Sequence, residues 1–170
     1  MHSMMHIMVQ HITSESENFM YHNIFLGLKE NVSLKEIKIL EMKYSFTMPK
    51  LIKKHFLRYN GGCPEKNVFV SENGSRYVLL NFIPIKYDDY DLDKVLSLVR
   101  DENIMPKWLI PFAEDGAGDF FCYSLKKDEL GAIYHYTHEF NYGESPESYV
   151  TYLTSSITEF IESLVEEDEN

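Results

Sequence analysis

The stretch NVFVSENGSRYVLLNF, residues 67–82, constrains the fold more than any other part of the chain. Runs of β-branched and aromatic residues flank Asn73-Gly74. An Asn-Gly pair in that setting is the strongest short-range hairpin signal, because a type I′ turn needs positive φ at both central residues. Two antiparallel strands are expected, and a lone hairpin is not stable in water. The rest of the chain must supply more strands or a covering layer of helices.

Ser33-Leu34-Lys35-Glu36 is a capping-box pattern, in which the serine oxygen and the glutamate side chain satisfy free amides at a helix start. The spacing predicts a helix with Leu34, Ile37, Leu40 and Tyr44 inward, stopping near Phe46. Pro49 disfavours helical geometry at Met48 but suits the first turn of a new helix. That second helix carries Ile52, His55, Phe56 and Tyr59 on one face and ends at Asn60-Gly61-Gly62, where glycine can take a left-handed cap. His55 is expected to be a hydrogen-bonded core residue, because no second ligand follows at i+4. Upstream, Phe19, Met20, Ile24, Phe25 and Leu28 recur at helical spacing and suggest a short first helix.

After the hairpin, IPIKYDDYD leads into LDKVLSLVRDE, a short helix with Leu92, Val95, Leu96 and Val99 in one stripe. Asp88, Asp89, Asp91 and Asp93 gather at its start, where negative charge complements the helix dipole and one aspartate can cap. A calcium loop is disfavoured, because the DxDxDG pattern and its distal glutamate are absent. FFCYSL and GAIYHYTHEF are two further strand candidates, and SYVTYLTSSITEFIESLVEEDEN is expected to close the chain as a helix with Val150, Leu153, Ile157, Phe160, Ile161 and Leu164 inward. Its acidic end lies at the wrong pole of the dipole and is expected to fray. Helices set apart from strands that lie close together imply an α+β domain on a mainly antiparallel sheet, packed by N-terminal and C-terminal helices.

With 170 residues, 44% hydrophobic and 14% aromatic, the chain suits one domain, expected over 19–165 between a flexible segment 1–18 and an acidic tail 166–170. The first segment carries Met1, Met4, Met5, Met8, His2, His6 and His11, but no repeated spacing fixes a metal geometry. Residues 1–100 hold 13 Lys and Arg against 11 Asp and Glu, whereas residues 101–170 hold 3 against 16. An acidic half repels phosphate backbones, so direct nucleic-acid binding is disfavoured and a basic partner favoured. No apolar run reaches the roughly 20 residues that span a bilayer. Cys63 and Cys122 match no zinc spacing or disulfide framework, which suggests reduced thiols in the cytoplasm.

Chemical candidates are few. Cys122 lies mid-strand among aromatics, where burial raises a thiol pKa, and Cys63, though expected to be more exposed, has no base nearby. There is no GxSxG, phosphate-cradling glycine loop or HExxH. The one cluster that could serve acid–base or metal chemistry is Glu114, Asp115 and Asp119 with His135, His138 and Glu139, brought close if the two strands form a hairpin. A structural role is the simpler account: Asp119 after Gly116 and Gly118 holds a tight turn, and His138 satisfies a carboxylate and locks the strand end.

Several segments taken in order carry a resemblance. They are Glu41, Met48-Pro49, Tyr59-Asn60-Gly61-Gly62, Ile83-Pro84-Ile85, Ile110-Pro111-Phe112-Ala113 with GAGDFFCYSL, and Gly131-Ala132-Ile133-Tyr134 with His138-Glu139. From about residue 31 to residue 165 the chain resembles the SUKH superfamily of bacterial toxin-immunity proteins and yeast cell-wall-assembly regulators. Met48 replaces the usual leucine, a volume-conserving change, and Asp119 falls where asparagine is common. The resemblance implies a SUKH-like α+β fold, no catalysis and no cofactor or metal. It also implies neutralisation of a cognate toxin domain by tight non-covalent binding, with a regulatory or scaffold module as the alternative and a hydrolase using Asp119, His138 and Glu139 further behind. Pro49, Asn60, Gly61, Gly62, Gly116, Gly118, Asp119, His138 and Glu139 are then structural. The acidic balance suggests a basic partner such as a nuclease, and loop placement suggests Tyr87, Asp88, Asp89, Tyr90, Asp91, Glu114, Asp115 and Tyr142 as its contacts.

Overall fold

The hairpin forms, but around a different turn. In the computed structural model, which describes residues 20–137 and 146–168, strands β3 (Val68–Val70) and β4 (Arg76–Phe82) pair antiparallel. Ser71 donates to the Ser75 carbonyl (2.9 Å) and Gly74 to the Ser71 carbonyl (2.9 Å). Of the Asn-Gly pair only Gly74 takes positive φ, at 84°. The expected two-residue type I′ turn is therefore a three-residue loop with glycine in the left-handed position, a geometry that also follows strand twist.

This hairpin opens a six-stranded antiparallel sheet in the order β3-β4-β5-β6-β7-β8, where β5 is Leu109–Asp115, β6 Phe120–Ser124, β7 Ile133–Tyr136 and β8 Val150–Thr154. The strands expected over FFCYSL and GAIYHY pair as β6 and β7, with Phe120 opposite Tyr136. Two strands of this sheet were not expected. LIPFAED is strand β5 because it is buried between β4 and β6 and so lacks a polar alternation. Val150 and Leu153, assigned to the closing helix, belong to β8, since β7 offers a free edge to pair. The helix starts only at Ile157, with Ser156 as its cap accepting from Glu159 N–H. Beyond it the chain does not fray at once: Val165 and Val68 exchange backbone hydrogen bonds (2.9 and 3.0 Å).

Among the described residues four α-helices pack with the sheet: α1 (Leu34–Tyr44), α2 (Lys50–Arg58), α3 (Leu92–Asp101) and α4 (Ile157–Ser163). The capping box at α1 is present, with Glu36 N–H donating to Ser33 Oγ at 3.2 Å. Ile37 and Leu40 are buried as expected, whereas Leu34 is 62% exposed, because as the first helical residue it precedes the turn that meets the core. Buried Glu41 holds the bend into α2, its Oε2 accepting Met48 N–H (2.7 Å) while Lys53 Nζ lies 3.4 Å from Oε1. Phe160 of α4 reaches Phe69, Phe112 and Phe121 across the sheet.

The expected first helix is a strand. β1 (Phe25–Leu28) pairs with β2 (Gly61–Pro64), and of the apolar residues spaced for a helix face Phe25 is buried while Ile24 and Leu28 are exposed. Tyr21 and Phe25 turn inward to His55, which stacks on Phe82 with ring centroids 4.7 Å apart. His55 is fully buried, its Nδ1 2.9 Å from Tyr21 Oη, and burial pushes its pKa down to about 3.

Asn60-Gly61-Gly62 does not close α2 with a left-handed glycine. Extended Tyr59 is the cap, donating to the His55 carbonyl at 2.8 Å. The glycines take φ of 74° and 81° inside β2. They are required there because a Cβ on Gly62 would meet the Leu26 carbonyl oxygen at 2.9 Å.

Candidate partner-binding groove

Asn60 organises the loop that carries most of the expected contact residues. Its Nδ2 donates to the carbonyls of Glu30 (2.8 Å) and Lys86 (2.9 Å), and its Oδ1 accepts Ile85 N–H at 2.8 Å. A single buried amide thus ties the approach to α1, the end of α2 and the Ile85–Lys86 backbone together, with three of its hydrogen-bonding positions filled. Beyond that anchor Tyr87 has positive φ (72°) and donates to Glu36 Oε2 at 2.9 Å, an interaction that, as the largest cause, holds the half-buried Glu36 carboxyl down to about 2. Asp88 pairs with Lys29 (2.9 Å), which keeps its carboxyl below the usual range. Asp91 caps α3, accepting Lys94 N–H at 3.0 Å, so the sequence's capping account of the aspartate cluster holds for Asp91. Asp93 serves α1 instead, pairing with Lys43 at 2.9 Å.

This loop forms one bank of a groove of about 330 Å³; β1, β2 and the ends of β4 and β5 form the other. Asp88, Tyr90 and Glu114 all line it, and Tyr87, Asp88, Asp89 and Asp91 line an adjoining concavity with Lys29 and Lys86. Glu114 is oriented from two sides: Asn81 Nδ2 donates to Oε1 (3.0 Å) and Tyr90 Oη to Oε2 (3.1 Å). Burial and the neighbouring Glu114 push the Tyr90 hydroxyl up to about 12. Asn81, Lys29 and Leu26 escaped sequence reasoning; the one signal was Asn81, a polar residue inside the otherwise apolar run VLLNF.

Asp115 lies apart from this groove. Its Oδ1 accepts Ala117 N–H (2.8 Å) and Asp119 N–H (3.0 Å), and its Oδ2 lies 2.9 Å from His135 Nε2, with side chains only 13% and 5% exposed. Asp115 thus holds the turn through its side chain, and Asp119, expected to hold it, contributes its carbonyl to Asp115 N–H at 3.0 Å. Among the described residues, the histidine facing this hairpin is His135, one position along from Tyr136 in the register. His138, Glu139 and Tyr142 lie outside the described residues, as do residues 1–18.

Asp115, Asp119 and His135 place three ligand-type atoms within 4.8 Å of one another. Both Asp115 oxygens already accept or face hydrogen-bond donors, which is the arrangement of a locked turn. Neither thiol suits nucleophilic work: burial raises the pKa of Cys122 well above its ordinary value and raises that of half-buried Cys63.

The model of the SMI1 / KNR4 family (SUKH-1) matches residues 31–163. The chain belongs to this family. Its SUKH-1 match begins just before α1 and ends with α4, so it leaves out β1, the strand that completes the groove. Among solved structures, the crystal structure of a protein from Pseudomonas syringae pv. tomato is similar, with a TM-score of 0.46 and 16% identity over 68% of this SUKH-1 chain and 74% of that one. No curated protein matches. SUKH-1 membership supports an immunity or regulatory role exerted through a protein partner. Among the described residues, no helix is long and apolar enough to cross a membrane.

Proposed function

We propose that this SUKH-1 protein is an immunity protein that neutralises a cognate bacterial toxin in the cytoplasm by tight non-covalent binding, without catalysis. The observation that carries the reading is the groove with its adjoining concavity, where three carboxylates and two partly exposed tyrosines share a loop anchored by buried Asn60 and Glu114 of β5 faces them. A preorganised loop loses little freedom on binding, so more of the contact energy appears as affinity. A basic toxin domain, such as a nuclease, matches this surface and the acidic second half of the chain.

A stable complex of this kind buries on the order of 1,200–2,000 Å². Tyr87 and Tyr90 are its aromatic anchors, Asp88, Asp89, Asp91 and Glu114 its charged contacts, and Asp115 and Tyr142 are further candidates from the sequence. Rim charges set association rate and desolvated anchors set lifetime. The test is co-expression with the toxin domain encoded beside its gene, followed by purification of the pair. Protection of the cell and a co-eluting complex are expected; a toxin that still kills and never co-elutes would end this reading.

A further inference from the structure

Within the groove, Glu114 differs from its acidic neighbours. Asp88 is neutralised by Lys29, whereas among the described residues no Lys, Arg or His lies within ion-pair distance of Glu114. Its two hydrogen bonds come from neutral donors, one per oxygen. An ionised carboxylate offers about four lone-pair sites, so two remain on a group already fixed in orientation. Its surroundings are partly apolar: Leu26 (56% exposed) and Pro84 line the groove, and the ring of Tyr90 (44% exposed) stands beside the carboxylate it donates to.

We infer that this groove takes an arginine side chain from the basic partner, with Glu114 as counter-ion and Tyr90 as a stacking platform. A guanidinium fits each feature. It is planar and weakly hydrated, so it tolerates the apolar wall and lies on an aromatic face, and its fork of N–H donors matches the free lone pairs of a held carboxylate. A lysine ammonium is compact and strongly hydrated, and would use the charge but neither the wall nor the ring. The charge balance also fits: with the Asp88–Lys29 pair cancelled, one negative charge is left for one incoming cation.

The inference rests on the proposed binding role, but a probe independent of any toxin tests it. The tripeptide Ac-Gly-Arg-Gly-NH2, and the same peptide with citrulline or lysine in place of arginine, is titrated into isotope-labelled protein while the amide resonances of Gly62, Asn81, Tyr90 and Glu114 are followed. The arginine peptide is expected to shift these resonances saturably. Citrulline, which is isosteric but uncharged, is expected to bind roughly tenfold more weakly or not at all, and lysine more weakly than arginine. Glu114→Gln, which keeps the size and a hydrogen-bonding head, is expected to weaken arginine binding by about the same factor; Tyr90→Leu removes the platform and serves as a second variant. The pocket is refuted by shifts that never saturate, by shifts spread over the acidic surface, by citrulline binding as tightly as arginine, or by Glu114→Gln leaving the titration unchanged. A saturable arginine response with no toxin complex would sink the neutralising role and keep the pocket. A toxin complex with no arginine response would do the reverse.

Discussion

Glu114 and Asp115 are consecutive residues of one strand with the same charge, and the fold gives them opposite work. Neighbouring side chains in a strand leave on opposite faces, so Glu114 meets Tyr90 and Asn81 in the groove while Asp115 meets His135 at the hairpin tip. Asp115 is surrounded by amide donors and a ring nitrogen that all belong to the same hairpin and its neighbouring strand. Glu114 accepts one hydrogen bond on each oxygen and lines an open groove. The difference shows that a carboxylate's role follows from how completely its own chain satisfies it, not from its place in a motif.

The largest effect that can break this comparison is expected from Asp115→Ala. It strips two amides of their acceptor and leaves buried His135 without its counterpart, a loss on the order of 3 kcal/mol, measured by urea denaturation. If Glu114→Ala cost as much, the contrast between lock and groove would fail.

Next comes the floor of the groove. Gly62→Ala must place a Cβ against the Leu26 carbonyl at positive φ, and should cost roughly 1–3 kcal/mol. Gly61→Val should also be clearly destabilising, since Gly61 has φ of 74° and β-branched residues resist that region. An unchanged melting temperature in both variants would mean that β1 and β2 can separate without penalty.

The two buried histidines sharpen the contrast further. His135 has a carboxylate beside it, whereas His55 sits among aromatic rings with its Nε2 lacking a partner among the described residues. Because the folded pKa of His55 is depressed to about 3 from 6.5, the unfolded chain takes up a proton that the native state refuses between those values. Stability should therefore fall as pH drops from about 6.5 towards 3, by up to about 1.4 kcal/mol per pH unit from this group alone. Denaturation curves over that window should show a shallower slope for His55→Phe than for the wild type; identical slopes would remove His55 from the account.

The smallest effect on stability belongs to the groove surface. Glu114→Gln should change unfolding free energy by less than about 0.5 kcal/mol. Replacing Asp88, Asp89 and Asp91 together by Asn, which preserves the α3 cap, should slow association with a basic partner and flatten its salt dependence. Association that ignores salt would remove the electrostatic part of the proposal.

What the sequence by itself determined were features whose causes are local. The capping box at Ser33, the stop before Pro49, the aspartate cap of α3 and the Asn-Gly hairpin each depend on a few adjacent residues, and each is present, with only the turn type revised. Tertiary structure decided the rest. β1 and β8 look helical by spacing, and become strands because β2 and β7 offer edges whose hydrogen bonds outweigh a weak local preference. The roles of Glu114 and Asp115 depend on Tyr90, Asn81 and His135, which lie 20 to 33 residues away. No pattern in a single strand specifies which distant donors will face it; the register of the neighbouring strands and the loop held by Asn60 do.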